Sequence, residues 1–195
     1  MKSPMLRNRF DAWRLLRQSG ASERLLLHAQ LVGEAAERLI AAYGALGLDV
    51  DASLIELGAA LHDAGKIEHP QELDGPGCLH EQAGEILLLG KGVPPGLARC
   101  CVSHAKWQGA GVSFEERSVA LADKLWKGQR EAALELHIID QAASRLGLGR
   151  WDVFARLDSV FEAIADDGAA RLERSRPSRP TAPPQASAPT QPPQA

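Results

Sequence analysis

Apolar residues return at intervals of three and four along most of this chain, and that spacing limits its fold more than any other feature. Leu25, Leu26, Ala29, Val32, Ala36, Leu39 and Ile40 trace one face of a long helix. Ser53 can cap a second helix through Leu54, Leu57 and Leu61, with Glu56 completing a capping box and Gly65 suiting the C-terminus. Further helices are predicted over 80–90, 95–105, 115–128, 130–146 and 150–173, divided by punctuation such as "GKGVPPG" and "QGAGVS". Neither an alternating strand pattern nor an internal repeat interrupts the series. The expected class is all-α.

A chain of 195 residues, 45% apolar and 24% charged, can bury one full core and has the composition of an ordinary soluble domain. Its formal charge of -3 is too small to demand nucleic acid or a membrane surface as a stable partner. No apolar run approaches the roughly 18 residues that span a bilayer. The opening "MKSPMLRNRFDAWRLLRQSG" lacks the apolar core and cleavage pattern of a secretion signal. The three cysteines, Cys78 and the adjacent Cys100 and Cys101, form no CxxC and leave one unpaired, which suits a reducing cytoplasm. The last twenty residues hold seven of the twelve prolines and no large apolar side chain. They are expected to be a disordered tail, partly polyproline II, with its arginines solvated. The division is a domain over 1–173 and a Pro/Ala/Gln-rich tail over 174–195.

Chemistry concentrates in "GAALHDAGKIEHP", residues 58–70, where an apolar run ends on His62 and Asp63. Burying an imidazole and a carboxylate is costly unless neighbours or a cation satisfy them. His28 in "LLLHAQLV", His80 at the start of "LHEQAGEILLLG", His104 at the end of "LARCCVSHAKW" and Asp123 in "VALADKLWKGQR" each lie in otherwise apolar helices. Gly84, one turn after His80, permits another backbone to approach closely. One such histidine is usually a hydrogen-bonded core residue. Four histidines and two aspartates, each on a different helix except the adjacent His62 and Asp63, have a shared solution, a metal site inside a bundle. Nitrogen and oxygen donors without thiolate suit a divalent ion such as Mn, Fe, Co, Ni, Zn or Mg.

This ordered set, from about Leu25 to Arg130, resembles the HD-domain superfamily of metal-dependent phosphohydrolases. The resemblance makes the expected fold an HD-type helical bundle. It assigns His28, His62, Asp63 and Asp123 to a first metal site. The "HDAGK", "HEQAG" and "SHA" segments are similar to members with two metals, implying His80 and His104 for a second ion and Asp63 as the bridge. They resemble the branch hydrolysing symmetrical dinucleoside tetraphosphates, and the core of cyclic-dinucleotide phosphodiesterases. From the latter the chain departs in its single His104 and in having no "GYP". The implied chemistry is attack on phosphorus by metal-activated water. The implied catalytic residues are Asp63 and Lys66, and the implied substrate is a nucleotide or other small phosphorylated metabolite.

Lys66 resembles the family's phosphate-contacting lysine; its ordinary reading is a solvated loop residue. Lys127 and Arg130 fall four and seven positions after Asp123, so they could extend a phosphate surface, or Lys127 could simply pair with Asp123. His69 reads as a surface residue, His137 as structural and Trp126 as core, while Trp107 either stacks on a ring at the pocket mouth or packs. Three alternatives stay open. They are a di-iron oxygenase on the same ligand framework, a non-catalytic nucleotide-binding regulatory module, and a guanosine tetraphosphate hydrolase, whose corresponding segment "LADKL" resembles. Metal identity, substrate and oligomeric state are not fixed by the sequence.

Overall fold

Short polar side chains set where several of the helices begin. In the computed structural model, which describes residues 5–176, Asn8 accepts from the amides of Phe10 and Asp11 to open α1 (Arg9–Gln18), a helix the periodicity did not announce. Ser22 accepts from Leu25 to open α2 (Glu23–Leu46), and Gly47 ends it in the left-handed conformation. Asp51 rather than Ser53 caps α3 (Ala52–Leu61): its carboxylate accepts from the Leu54 amide at 2.9 Å. Ser53 is already inside the helix, and Glu56 pairs with Arg9 at 3.1 Å instead of folding back. Two 3-10 turns, Ala64–Ile67 and Pro70–Leu73, lead to α4 (Leu79–Gly90).

The segment expected as one helix over 95–105 is two short pieces, α5 (Pro95–Ala98) and α6 (Cys100–Ser103), meeting at Arg99. Ser113 and Glu116 form a reciprocal capping box for α7 (Phe114–Leu125), followed by α8 (Ala132–Leu146). The helix expected over 150–173 divides at Asp167 into α9 (Arg150–Asp166) and α10 (Gly168–Ser175). It divides because Gly168 rests on the chain at Gly128, where any Cβ would collide with backbone. The last helix runs two residues past the expected boundary at 173. The all-α class holds, with no strand among the described residues. The tail expected over 174–195 lies, from residue 177 onward, outside the described residues.

Two cores share one spine. On one side Val32, Leu39, Ile55, Leu121, Ile138 and Leu157 join α2 and α3 to α7, α8 and α9. On the other, Leu16, Leu26, Leu57, Leu61, Leu88 and Leu97 join the same two helices to α1, α4 and α5. Burial of each such side chain is worth about 1.5–3 kcal/mol. Helices α2 and α3 therefore carry apolar residues on two faces, and whatever ends α3 emerges at the seam. No helix among the described residues is long and apolar enough to cross a membrane.

Candidate metal centre

His62 and Asp63 stand at that seam, where α3 ends. The His62 Nδ1 lies 2.9 Å from the Ala59 carbonyl oxygen. A carbonyl only accepts, so Nδ1 holds the proton and Nε2 presents its lone pair inward. His104 repeats this device with its Nδ1 3.1 Å from the Cys100 oxygen. His80 uses a carboxylate instead: its Nδ1 is 2.5 Å from Glu72 Oε2, and Glu72 also accepts from the Leu79 and His80 amides at the start of α4. Three rings are thus fixed through Nδ1 and aim Nε2 the same way.

They aim at Asp63. Its carboxylate is 2.8 Å from Nε2 of His28, 3.2 Å from that of His80, 3.6 Å from that of His62 and 3.8 Å from that of His104. Asp123 approaches from α7, with Oδ1 3.6 Å from His62 Nε2 and 3.3 Å from the Trp126 indole nitrogen that donates to it. All six side chains proposed as ligands therefore meet. Two sets, His28/His62/Asp123 and His62/Asp63/His104, have donor atoms all within 4.8 Å of one another. His80 lies outside both sets but within reach of Asp63.

Close backbone packing makes the convergence possible. A Cβ at Gly84 would stand 2.8 Å from the Gly65 nitrogen and 2.9 Å from Cys101 Sγ. A Cβ at Gly65 would collide with the His80 carbonyl oxygen, so Gly65 serves the α4 contact rather than the end of α3. Only two glycines let the turn after Asp63 lie on the helix of His80. Cys101 packs behind this contact and donates to the Leu61 oxygen at 3.3 Å, while burial pushes the Cys100 thiol up to about 12 and that of Cys101 higher still. Both remain buried thiols rather than ligands.

Charge concentrates at the seam. Burial opposes the charge of Asp63, but the imidazoles of His62, His28 and His80 hold its pKa well below the usual carboxylate range. Burial also opposes the charge of Asp123, and again His62 reverses it and lowers the pKa. Burial opposes the charge of His62 and His80, but Asp63 and Asp123 together raise His62 and Asp63 and Glu72 together raise His80, whereas burial and then His62 push His104 down to about 4. A neutral His104 directs a lone pair at an ionised carboxylate, a repulsion that a cation between them removes. The Nε2 atoms of His28, His62 and His80 are buried without a well-formed hydrogen bond. The residues present fit a metal ion.

Lys66 places its ammonium 2.6 Å from Asp63 Oδ2, and Lys127 reaches Asp123 at 3.4 Å. Both line a cavity of about 630 Å³ that opens onto the cluster. Arg130 does not. It turns away to Glu135 at 2.7 Å and Asp158 at 2.5 Å, because α7 ends at Leu125 and the helical spacing that put Arg130 beside Asp123 stops there. His69, half-buried, begins the Pro70–Leu73 turn and is absent from the cavity wall. Trp107 packs edge-on against His137 with ring centres 6.5 Å apart, and neither lines the cavity.

Two contributors escape sequence reasoning. Glu72 precedes His80 in an irregular stretch, "HPQELDGPGCLH", with no period to mark it as buried. Trp126 is core, as expected, but it also orients Asp123 and stands edge-on to His28 with ring centres 5.0 Å apart.

The HD domain family model matches residues 23–142, more than half of the chain. Neither the curated proteins nor the solved structures supply a match. The matched stretch contains all six converging side chains, and the chain belongs to the HD domain family, in the superfamily of metal-dependent phosphohydrolases.

Proposed function

We propose that this chain is a phosphohydrolase in which His28, His62, Asp63, His80, His104 and Asp123 would hold divalent metal, with Asp63 the carboxylate on which the four imidazoles converge. Its substrate is a small phosphate ester or anhydride of nucleotide size. The observation that carries this reading is the convergence of four imidazole Nε2 atoms on one buried carboxylate with a lysine beside it. A bound divalent ion would supply Lewis acidity, lowering the pKa of a water and offsetting charge on phosphoryl oxygen.

The chain's own groups do the rest. Ala59, Cys100 and Glu72 hold the Nδ1 proton of three histidines, so that their Nε2 lone pairs stay available. Trp126 keeps Asp123 turned inward. Lys66, half-buried at the cavity wall, neutralises Asp63 and is free to exchange that carboxylate for a phosphate oxygen once the carboxylate has another cation. Lys127 stands in the same relation to Asp123. A reducing cytoplasm belongs to this reading, on the ground that an odd number of cysteines without a CxxC suits it.

A screen of phosphate esters, made with metal-loaded protein and with Lys66→Ala, tests the assignment. Hydrolysis without oxygen is expected. Lys66→Ala should lower kcat/KM by about tenfold or more, the loss of one charge-assisted bond, with metal content unchanged. Turnover that demands iron and oxygen and releases no phosphate would reject it.

A further inference from the structure

We infer that α10 is the wall that selects the organic part of the substrate, with Leu172 the side chain that touches it; this rests on the phosphohydrolase reading. Helix α10 lies outside the stretch matched to the HD domain family. Yet Leu172 and Ser175 line the same cavity as His28, Asp63 and Asp123.

The helix is firmly fixed there. Gly168 rests on the backbone at Gly128, directly after the cavity residue Lys127. Arg171 is buried, donates to the Ile164 oxygen at 2.8 Å and lies 3.6 Å from Glu34, which Arg174 also holds at 2.9 Å. Arg38 reaches Asp167 at 2.7 Å. These bonds fasten both ends of α10 to α2, the helix of His28. These contacts place Leu172 in the cavity wall.

The cavity wall carries both cationic and apolar groups. Lys66 and Lys127 lie against Asp63 and Asp123, and Lys124, also on the wall, has no anionic partner among the described residues. These ammonium groups suit phosphate. Leu172 is 38% exposed, and an open leucine on a charged cavity gains free energy only when apolar surface covers it. The volume of about 630 Å³ exceeds what a phosphate fills and falls in the range of pockets for larger organic ligands. The fitting ligand is a phosphate ester whose ring or short apolar group reaches α10.

Calorimetric titration of the metal-loaded full chain with AMP and, separately, with inorganic phosphate tests this in Leu172→Trp and Leu172→Ala. Leu172→Trp should raise the Kd for AMP by about tenfold and Leu172→Ala by less, with phosphate affinity, metal content and melting unchanged. Equal weakening of both ligands, an unaltered AMP affinity, or no preference of the unmodified chain for AMP over phosphate would overturn the inference. Hydrolysis is measured separately. A Leu172 effect on AMP without turnover of any ester keeps the wall and rejects the hydrolase; turnover without a Leu172 effect does the reverse.

Discussion

The two sides of the α2–α3 spine are built by different means. Among the described residues, one packs the long helices α7, α8 and α9 into a core of 24 buried residues; the other packs α1, α4 and α5 into a core of 13, and so has far less apolar burial to hold it. The first side is held chiefly by its long helices. The second depends on the glycine contact between the turn after Asp63 and α4, and on the Glu72 carboxylate that holds His80. His28 and Asp123 reach the seam beside Trp126 of the larger core, and His80 and His104 reach it from the smaller side. The difference teaches that a cation at the seam would act as a structural joint, and that the smaller side should feel its loss first.

The largest effect is expected at the joint itself. Asp63→Ala removes the group on which both sides converge, and activity on a phosphate ester should fall about a thousandfold or more, equivalent to roughly 4 kcal/mol. Elemental analysis should find the metal largely gone. Full metal content in this variant would mean the two sides bind independently.

The next pair sharpens the contrast between the cores. Leu157→Ala in the larger core should cost about 2–5 kcal/mol of stability by chemical denaturation, yet leave metal per folded chain unchanged. Gly84→Ala should cost about 1–3 kcal/mol by overpacking and should also reduce bound metal, because its Cβ pushes the helix of His80 off the turn. The opposite pattern of metal loss would break the comparison.

Glu72→Ala is expected to have the smallest effect. It should weaken metal affinity by about 10–100-fold, read by competition with a chelator of known affinity. An unchanged affinity would reduce Glu72 to a helix cap.

How much of this was legible in the sequence follows the same divide. The face of α2 from Leu25 to Ile40 and the course of α8 were plain from periodicity, because long helices against a large core leave a repeating pattern. The division at Asp167 was not, since it depends on a tertiary contact: Gly168 meets Gly128, forty residues away in sequence. The six converging side chains could be named because each is an ionisable group in an apolar helix. Glu72 could not, since its burial comes from an irregular turn folding onto His80, and Arg130 was misplaced by extending helical spacing beyond the end of α7. The Gly84 contact is legible as a permitted approach, although its partner, Gly65, carries in the sequence only the mark of a helix terminator.

Region-resolved amide hydrogen exchange of the full chain, before and after metal is stripped by a chelator, tests the central claim most directly. The account predicts that chelation speeds exchange first in the Ala64–Ile67 turn, α4 and α6, while α8 and the second half of α2 stay protected, and that the melting temperature falls. Identical exchange in every segment, with an unchanged melting temperature and no metal in the untreated protein, would contradict it.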